Sequence, residues 1–91
     1  MIENFRVTDH ARLEIARRGI SEEILARVIT QPEQIVDSHS GRKAYQSRIE
    51  IGGKLYVVRA IVEETDPMMV ITAYRTSKIE KYWRQDHESD L

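Results

Sequence analysis

Residues 54–75, KLYVVRAIVEETDPMMVITAYR, contain two runs that are rich in β-branched and aromatic residues. A polar connection at residues 63–67 separates the runs and ends in proline. Such runs favour β-strands, and a polar, proline-containing segment between them is typical of a turn. The stretch therefore predicts an antiparallel hairpin at the centre of a sheet. Because both runs are apolar at most positions, we expect both faces of the sheet to be at least partly covered.

A second hairpin precedes the first. Residues 43–51 alternate between two sets of side chains, and Gly52 and Gly53 follow them directly. Two adjacent glycines between strands favour a two-residue turn, in which both central residues need a positive φ angle. This turn pairs Ile51 with Lys54, and it fixes which residues of the two strands share a face.

The register of the hairpins collects polar residues on one face. The glycine turn pairs Gln46 with Arg59 and places Arg48 on the same side. An even-length loop in the next hairpin adds Thr72 and Tyr74 to that side. The opposite face, on which we expect the helices to pack, carries Tyr45, Ser47, Ile49, Tyr56, Val58, Ala60, Val62, Met69, Ile71 and Ala73.

Two arginines, a hydroxyl, a phenol and an amide without carboxylates suit an anion such as a phosphodiester. Arg48 and Arg59 would bind the phosphate, and Tyr74 or a nearby histidine would transfer a proton. Two alternatives remain open. The face is a solvated surface with an arginine–tyrosine stack, or it is a surface that docks a partner.

Two helices are predicted before the sheet. Thr8 and Ser21 are suitable N-caps, Gly19 follows the first helix, and Pro32 ends the second. Residues 34–38 fit a short strand, residues 2–7 fit an edge strand or an extended lead-in, and Ser77 could begin a last helix. The helical residues expected to face the sheet are Leu13, Ala16, Ile20, Ile24, Leu25, Val28 and Ile29.

These elements predict a single α+β domain over residues 1–91. Two N-terminal helices would pack on a curved antiparallel sheet of three or four strands, followed by a C-terminal helix. We expect residues 86–91 to form a frayed tail.

The composition limits the function classes. The 91 residues carry a formal charge of −1 and 32% charged side chains, which is unlike the basic character of a typical nucleic-acid binder. The chain has no cysteine, no signal peptide and no apolar run of membrane-spanning length, so we expect a cytoplasmic protein without a membrane contact. The histidines lack metal-ligand spacing, and we predict no metal or other cofactor. A homo-oligomer would help to stabilise so small a core.

Several short motifs follow one another along the chain. They are Thr8-Asp9-His10-Ala11, Arg17-Arg18-Gly19-Ile20-Ser21, Pro32 at the end of the second helix, and Val70-Ile71-Thr72-Ala73-Tyr74. Their order resembles a family of small bacterial domains of unknown function, which is thought to be related to the RelE, ParE and BrnT toxins. The resemblance covers roughly residues 6–76.

The resemblance implies a toxin-like, metal-independent endoribonuclease, with RNA as substrate and an antitoxin protein as partner. The alternative is a non-catalytic protein-interaction domain of the same fold. The resemblance implies that four polar residues of these motifs are functional, namely His10, Arg17, Thr72 and Tyr74. Combined with the sheet register, it predicts a catalytic set of His10, Arg59, Thr72 and Tyr74, and a substrate-binding set of Arg17, Gln46 and Arg48.

Overall fold

The computed structural model describes residues 5–84 and shows five strands and three helices in this part of the chain. A single turn of 3₁₀-helix, His39–Gly41, joins the second and third strands. The elements are β1 Phe5–Val7, α1 Asp9–Arg17, α2 Glu22–Thr30, β2 Gln34–Asp37, β3 Lys43–Ile51, β4 Lys54–Glu63, β5 Met68–Thr76 and α3 Ile79–Tyr82.

The sheet is mixed, and its strand order is β1-β5-β4-β3-β2. The predicted antiparallel sheet of three or four strands is therefore wrong. The residues that lead into α1 form a short strand, which adds to the sheet beside β5 and runs parallel to it. The backbone N–H of Thr8 continues this pairing with a hydrogen bond to the Val70 carbonyl (3.2 Å). The remaining pairs are antiparallel, and the predicted short strand after α2 is an edge strand.

Helices α1 and α2 cover one face of the sheet, which we call the helix face. Side chains from both helices and from four strands form one apolar core there. In α2 the predicted stripe is confirmed, because Leu25, Val28 and Ile29 are buried. In α1 the prediction is wrong, because Leu13 and Ala16 are exposed. The core residues of α1 are Ala11 and Ile15.

The turn between β3 and β4 confirms the predicted register. Ile51 pairs with Lys54 and Gln46 pairs with Arg59 across the two strands. Gly52 and Gly53 have φ angles of +61° and +82°, a conformation that residues with a Cβ rarely adopt. Of the residues expected under the helices, Val58 is buried and Tyr56 is half-exposed.

The hairpin of β4 and β5 departs from the predicted parity. An even-length loop would pair an odd-numbered residue of one strand with an even-numbered residue of the other. Next to the loop, however, Val62 pairs with Val70, so two even-numbered residues are partners. A bulge between Ile61 and Val62 shifts the register, so that Ile61 pairs with Thr72. As a result Val70 lies in the core, whereas Ile71, which was predicted to be buried, is half-exposed.

The predicted C-terminal helix is a single turn without buried residues. It begins after Lys78, not at Ser77, and it lies on the sheet face opposite α1 and α2, which we call the outer face. The predicted frayed tail, residues 86–91, lies outside the described residues. Within residues 5–84, no helix has the length and apolar character needed to cross a lipid bilayer.

Candidate functional site

Three side chains form a row across the middle of the outer face. Gln46 on β3, Arg59 on β4 and Tyr74 on β5 are successive cross-strand partners. The Nε of Arg59 donates a hydrogen bond to Oε1 of Gln46 (2.7 Å), and Nη1 donates one to the hydroxyl of Tyr74 (2.5 Å). Because directly opposed residues share a face, the strand register alone brings these groups together and orients the guanidinium.

The Arg59 guanidinium lies beside two aromatic rings, whose centroids are 6.2 Å apart. Its central carbon is 4.8 Å from the ring centroid of Tyr82 and 5.7 Å from that of Tyr74. No carboxylate of residues 5–84 forms an ion pair with this half-buried cation. A guanidinium has five N–H donors, and the bonds to Gln46 and Tyr74 use only two. The remaining donors suit an anion.

An open cavity of about 690 Å³ adjoins Arg59. One wall comes from the connection between β2 and β3, which contributes the exposed side chain of His39. Arg42 lines the same cavity and bonds to the carboxylate of Glu63 at 3.1 Å. The cavity is lined by Asp37, Ser38, His39, Ser40, Arg42, Arg59, Ile61, Tyr74 and Tyr82.

Asp37 is the acidic residue of this lining. A hydrogen bond from Lys43, together with the charge of Lys43, holds the pKa of the Asp37 carboxyl below its usual range. The same contact raises the pKa of the Lys43 ammonium. Asp37 is therefore ionised and has a cation of its own, so its charge does not neutralise Arg59.

Arg48 has a different environment on the same face. Its guanidinium lies 4.3 Å from the ring centroid of Trp83, and its Nε is 3.4 Å from the carboxylate of Glu33. The backbone N–H of Arg48 donates to that carboxylate and, more than any other contact, lowers the pKa of Glu33. Arg48 is thus a paired, exposed cation, whereas Arg59 is enclosed.

The structure brings most of the predicted site residues together and leaves two of them apart. Arg59, Tyr74 and Gln46 are in contact, and Thr72 and Arg48 lie on the same face. His10 and Arg17 belong to α1, which packs on the helix face, and both are exposed. The five sheet residues therefore form one surface that excludes these two: Gln46, Arg48, Arg59, Thr72 and Tyr74.

Three residues of the outer face were not predicted as site residues. His39 lines the cavity, and its only sequence signal is its place in a polar turn after a short strand. Tyr82 and Trp83 follow the last predicted strand, and their rings lie against Arg59 and Arg48. No local pattern indicates these contacts, because each joins positions more than twenty residues apart.

A second cavity, of about 660 Å³, lies away from this row, between β1 and the two long helices. Arg12 and Glu22, which form an ion pair at 2.9 Å, belong to its lining. Two arginines and two carboxylates line it, so its formal charges balance. Among residues 5–84, no group of three or more His, Cys, Asp or Glu side chains is arranged to hold a metal ion.

Residues 7–75 match the family described as Domain of unknown function (DUF4258). The chain belongs to this family. Comparison of the chain with curated proteins and with solved structures found no similar one. The matched region begins at the last residue of β1 and ends one residue before the end of β5, so it contains β2, β3 and β4 and most of β5 but not α3.

Two of the short sequence motifs have structural roles at the start of the chain. Thr8 caps α1 by accepting a hydrogen bond from the Ala11 N–H (3.0 Å), and Ala11 is fully buried. Arg18 bonds to Glu14 on α1 (2.6 Å) and to the Ala73 carbonyl on β5 (2.7 Å). Gly19 has a φ angle of +69° below the Arg75 guanidinium, where a Cβ would lie 3.1 Å from Nη2.

The motif at residues 70–74 divides between the two faces. Val70 and Ala73 belong to the core, whereas Thr72 and Tyr74 belong to the outer face. Of the motif residues, those two are therefore the ones that share a surface with Arg59.

Proposed function

We propose that this DUF4258 protein is a metal-independent endoribonuclease of the toxin type, and that the cavity beside Arg59 holds the scissile phosphate. The observation that carries the proposal is the state of Arg59. It is half-buried, it is oriented by Gln46 and Tyr74, and it forms no ion pair with a carboxylate of the described residues. A guanidinium fits the oxygens of a phosphate through paired hydrogen bonds.

The groups around the cavity match the needs of RNA transesterification. The ribose 2′-oxygen attacks the adjacent phosphorus, the bond from phosphorus to the 5′-oxygen breaks, and the products are a 2′,3′-cyclic phosphate and a 5′-hydroxyl. Arg59 would stabilise the negative charge that develops on the phosphate oxygens. One proton must leave the 2′-hydroxyl, and one must reach the departing 5′-oxygen.

Two cavity residues are suited to these proton transfers. The hydroxyl oxygen of Tyr74 accepts a hydrogen bond from Arg59, so its own proton points elsewhere and is available to the leaving oxygen. The imidazole of His39 lines the same cavity and would accept the 2′-hydroxyl proton. Thr72 would orient the substrate from the same strand as Tyr74. His10 and Arg17 take no part in this proposal because they lie on α1.

A non-catalytic interaction domain is the second candidate. The enclosure of Arg59 by Gln46, Tyr74 and Tyr82 favours it, because such contacts would also fix a purely structural arginine. In that case the outer face would dock a protein partner. An antitoxin protein is the partner expected for the first candidate.

A cleavage assay on single-stranded RNA in excess EDTA tests the proposal. We expect cleavage with 2′,3′-cyclic phosphate ends, and we expect Arg59→Ala to reduce the rate by about 10²–10³, the range found when one charge-stabilising donor is removed. Arg27→Ala is the matched control, because Arg27 is an exposed arginine on α2. Circular dichroism checks that both variants are folded.

Two outcomes would overturn the ribonuclease proposal. One is a wild-type protein that cleaves no RNA and does not slow bacterial growth when expressed. The other is an Arg59→Ala variant that cleaves as fast as Arg27→Ala. Either outcome would leave the interaction domain as the better account of the outer face.

A further inference from the structure

Residues 79–84, which we call the covering segment, cross the outer face over the row of Gln46 and Arg59. The Tyr82 carbonyl accepts a hydrogen bond from Nε2 of Gln46 (3.1 Å). The amide of Gln34 forms two hydrogen bonds with the backbone of Arg84, at 2.6 and 3.0 Å. The segment is thus held through its backbone by two side-chain amides of the sheet.

The side chains of the covering segment add two ring contacts. Tyr82 lies over Arg59 and Trp83 lies over Arg48, with distances of 4.8 and 4.3 Å from ring centroid to guanidinium carbon. The α3 turn itself has no buried residue and no side-chain cap. Each such cation–π contact contributes only about 0.5–1 kcal/mol at exposed sites. The segment is therefore attached by a few weak polar and ring contacts, and an anion with affinity for both arginines could replace it.

The covering segment places its two rings on the arginines as a bound single strand of nucleic acid would place two bases. Two consecutive aromatic groups lie on two arginines that are diagonal neighbours across β3 and β4, a spacing of about 7–8 Å in antiparallel pairs. Proteins that bind single-stranded RNA commonly stack its bases on arginine planes. The family match ends at residue 75, so the covering segment lies outside the matched region, whereas the arginines beneath it lie inside.

We propose that the covering segment occupies the path of a single-stranded RNA across the outer face, and that the RNA displaces it by placing bases on Arg48 and Arg59. This inference rests on the proposed phosphate site beside Arg59. It deepens that proposal in two ways. The substrate is a single strand that extends past the cavity toward Arg48, and access to the site is regulated by the chain's own aromatic residues.

Trp83 is the single tryptophan of the chain, so its fluorescence reports directly on the covering segment. The probe is a short single-stranded oligonucleotide of deoxyribose, which lacks the 2′-hydroxyl and is not cleaved. Its binding to the full chain is measured by anisotropy of a dye on the oligonucleotide. The exposure of Trp83 is measured in parallel by acrylamide quenching. We expect saturating oligonucleotide to make Trp83 more accessible to acrylamide.

Tyr82→Ala removes the ring over Arg59 and should weaken the hold of the covering segment. We expect this variant to bind the oligonucleotide roughly two- to five-fold more tightly than the wild type, in line with the loss of one exposed cation–π contact. Ser77→Ala is the matched control, because Ser77 is an exposed residue just before α3 and contacts neither arginine. It should bind like the wild type.

The possible failures are distinguishable. If the oligonucleotide binds but Trp83 becomes less accessible, the bases stack on Trp83 and displacement is wrong. If it binds with no change in quenching, or if Tyr82→Ala has wild-type affinity, the covering segment does not control access. If neither the wild type nor Tyr82→Ala binds it, the proposed path of the single strand is wrong. In each case the cleavage assay with Arg59→Ala decides separately whether the phosphate site stands.

Discussion

The two faces of the sheet are closed in different ways. On the helix face, apolar side chains from α1, α2 and the strands are buried against each other. On the outer face, the single turn of α3 and the two residues after it are held by side-chain amides and by rings over arginines. Both faces bury residues completely: Val58 on the helix face and Gln46 on the outer face are 0% exposed.

The helix face therefore stabilises the fold, whereas the outer face positions the groups proposed to bind a ligand. Burial of apolar area is nondirectional and supplies most of the free energy of folding. Hydrogen bonds and cation–π contacts contribute less but fix the direction of each group. We therefore expect substitutions on the helix face to change the free energy of unfolding, and substitutions around Arg59 to change ligand binding or catalysis.

The largest effect on stability should come from a leucine pair, one on each face. Leu25 on α2 is 2% exposed where that helix packs on the sheet, and Leu55 is 47% exposed on the outer face. Leu25→Ala should lower the free energy of unfolding by about 2–5 kcal/mol, because it leaves a cavity in the core. Leu55→Ala should change it by no more than about 0.5 kcal/mol. Urea denaturation measures both, and equal midpoints for the two variants would remove the distinction between the faces.

A smaller effect is expected from Tyr45, whose ring is in the core while its hydroxyl donates to the Glu64 carboxylate at 2.7 Å. Burial, followed by the contact with Glu64, raises the pKa of Tyr45 from 10.0 to about 12. In the unfolded chain the phenol therefore loses its proton at lower pH than in the folded protein. The free energy of unfolding should decrease by about 2–3 kcal/mol as pH rises from about 10 to about 12.

Urea denaturation at several alkaline pH values, on the wild type and on Tyr45→Phe, measures this contribution. The phenylalanine variant lacks the ionisable group but keeps the ring in the core. Its stability should decline less steeply over the same pH range. If the stability of the two proteins declined equally with pH, burial on the helix face would not raise the pKa of Tyr45.

The smallest of the three effects concerns the turn that assigns residues to the two faces. Gly53 has a φ angle of +82° and open space around the position of a Cβ, so backbone strain is the main cost of substitution. Gly53→Val should lower the free energy of unfolding by about 1–2 kcal/mol. Gly53→Asn should be nearly neutral, because asparagine tolerates positive φ in such turns. Thermal unfolding compares them, and equal melting temperatures for the two variants would contradict the strain argument.

The sequence predicted the register of β3 and β4 because Gly52 and Gly53 leave only one arrangement of the turn. It did not predict the bulge in β4 and β5, since the run MMVIT carries no signal for an extra residue. The premise of an even loop was wrong. The bulge compensates for it further along the strands, so that Arg59 still pairs with Tyr74.

The candidate site was predictable where it depends on the glycine turn and not where it depends on distant segments. The pair of Gln46 and Arg59 follows from the hairpin of β3 and β4. Tyr74 shares their face only because the bulge compensates for the odd loop. The parallel addition of β1, the position of His39 and the rings of Tyr82 and Trp83 depend on where separate parts of the chain meet. His10 belongs to the motif at residues 8–11, but the helix that holds it packs on the helix face, away from Arg59.

The bond from Arg18 to the Ala73 carbonyl has a consequence for the protein in a crowded solution. Strand β1 pairs with β5 only from Met68 to Val70, so the rest of that strand forms the rim of the sheet. Exposed rims are templates on which strands of other molecules can pair and begin to aggregate. Thr8 and Arg18 donate to the carbonyls of Ile71 and Ala73 on this rim. The two residues that flank α1 thus occupy carbonyls to which a strand of another molecule would otherwise bond.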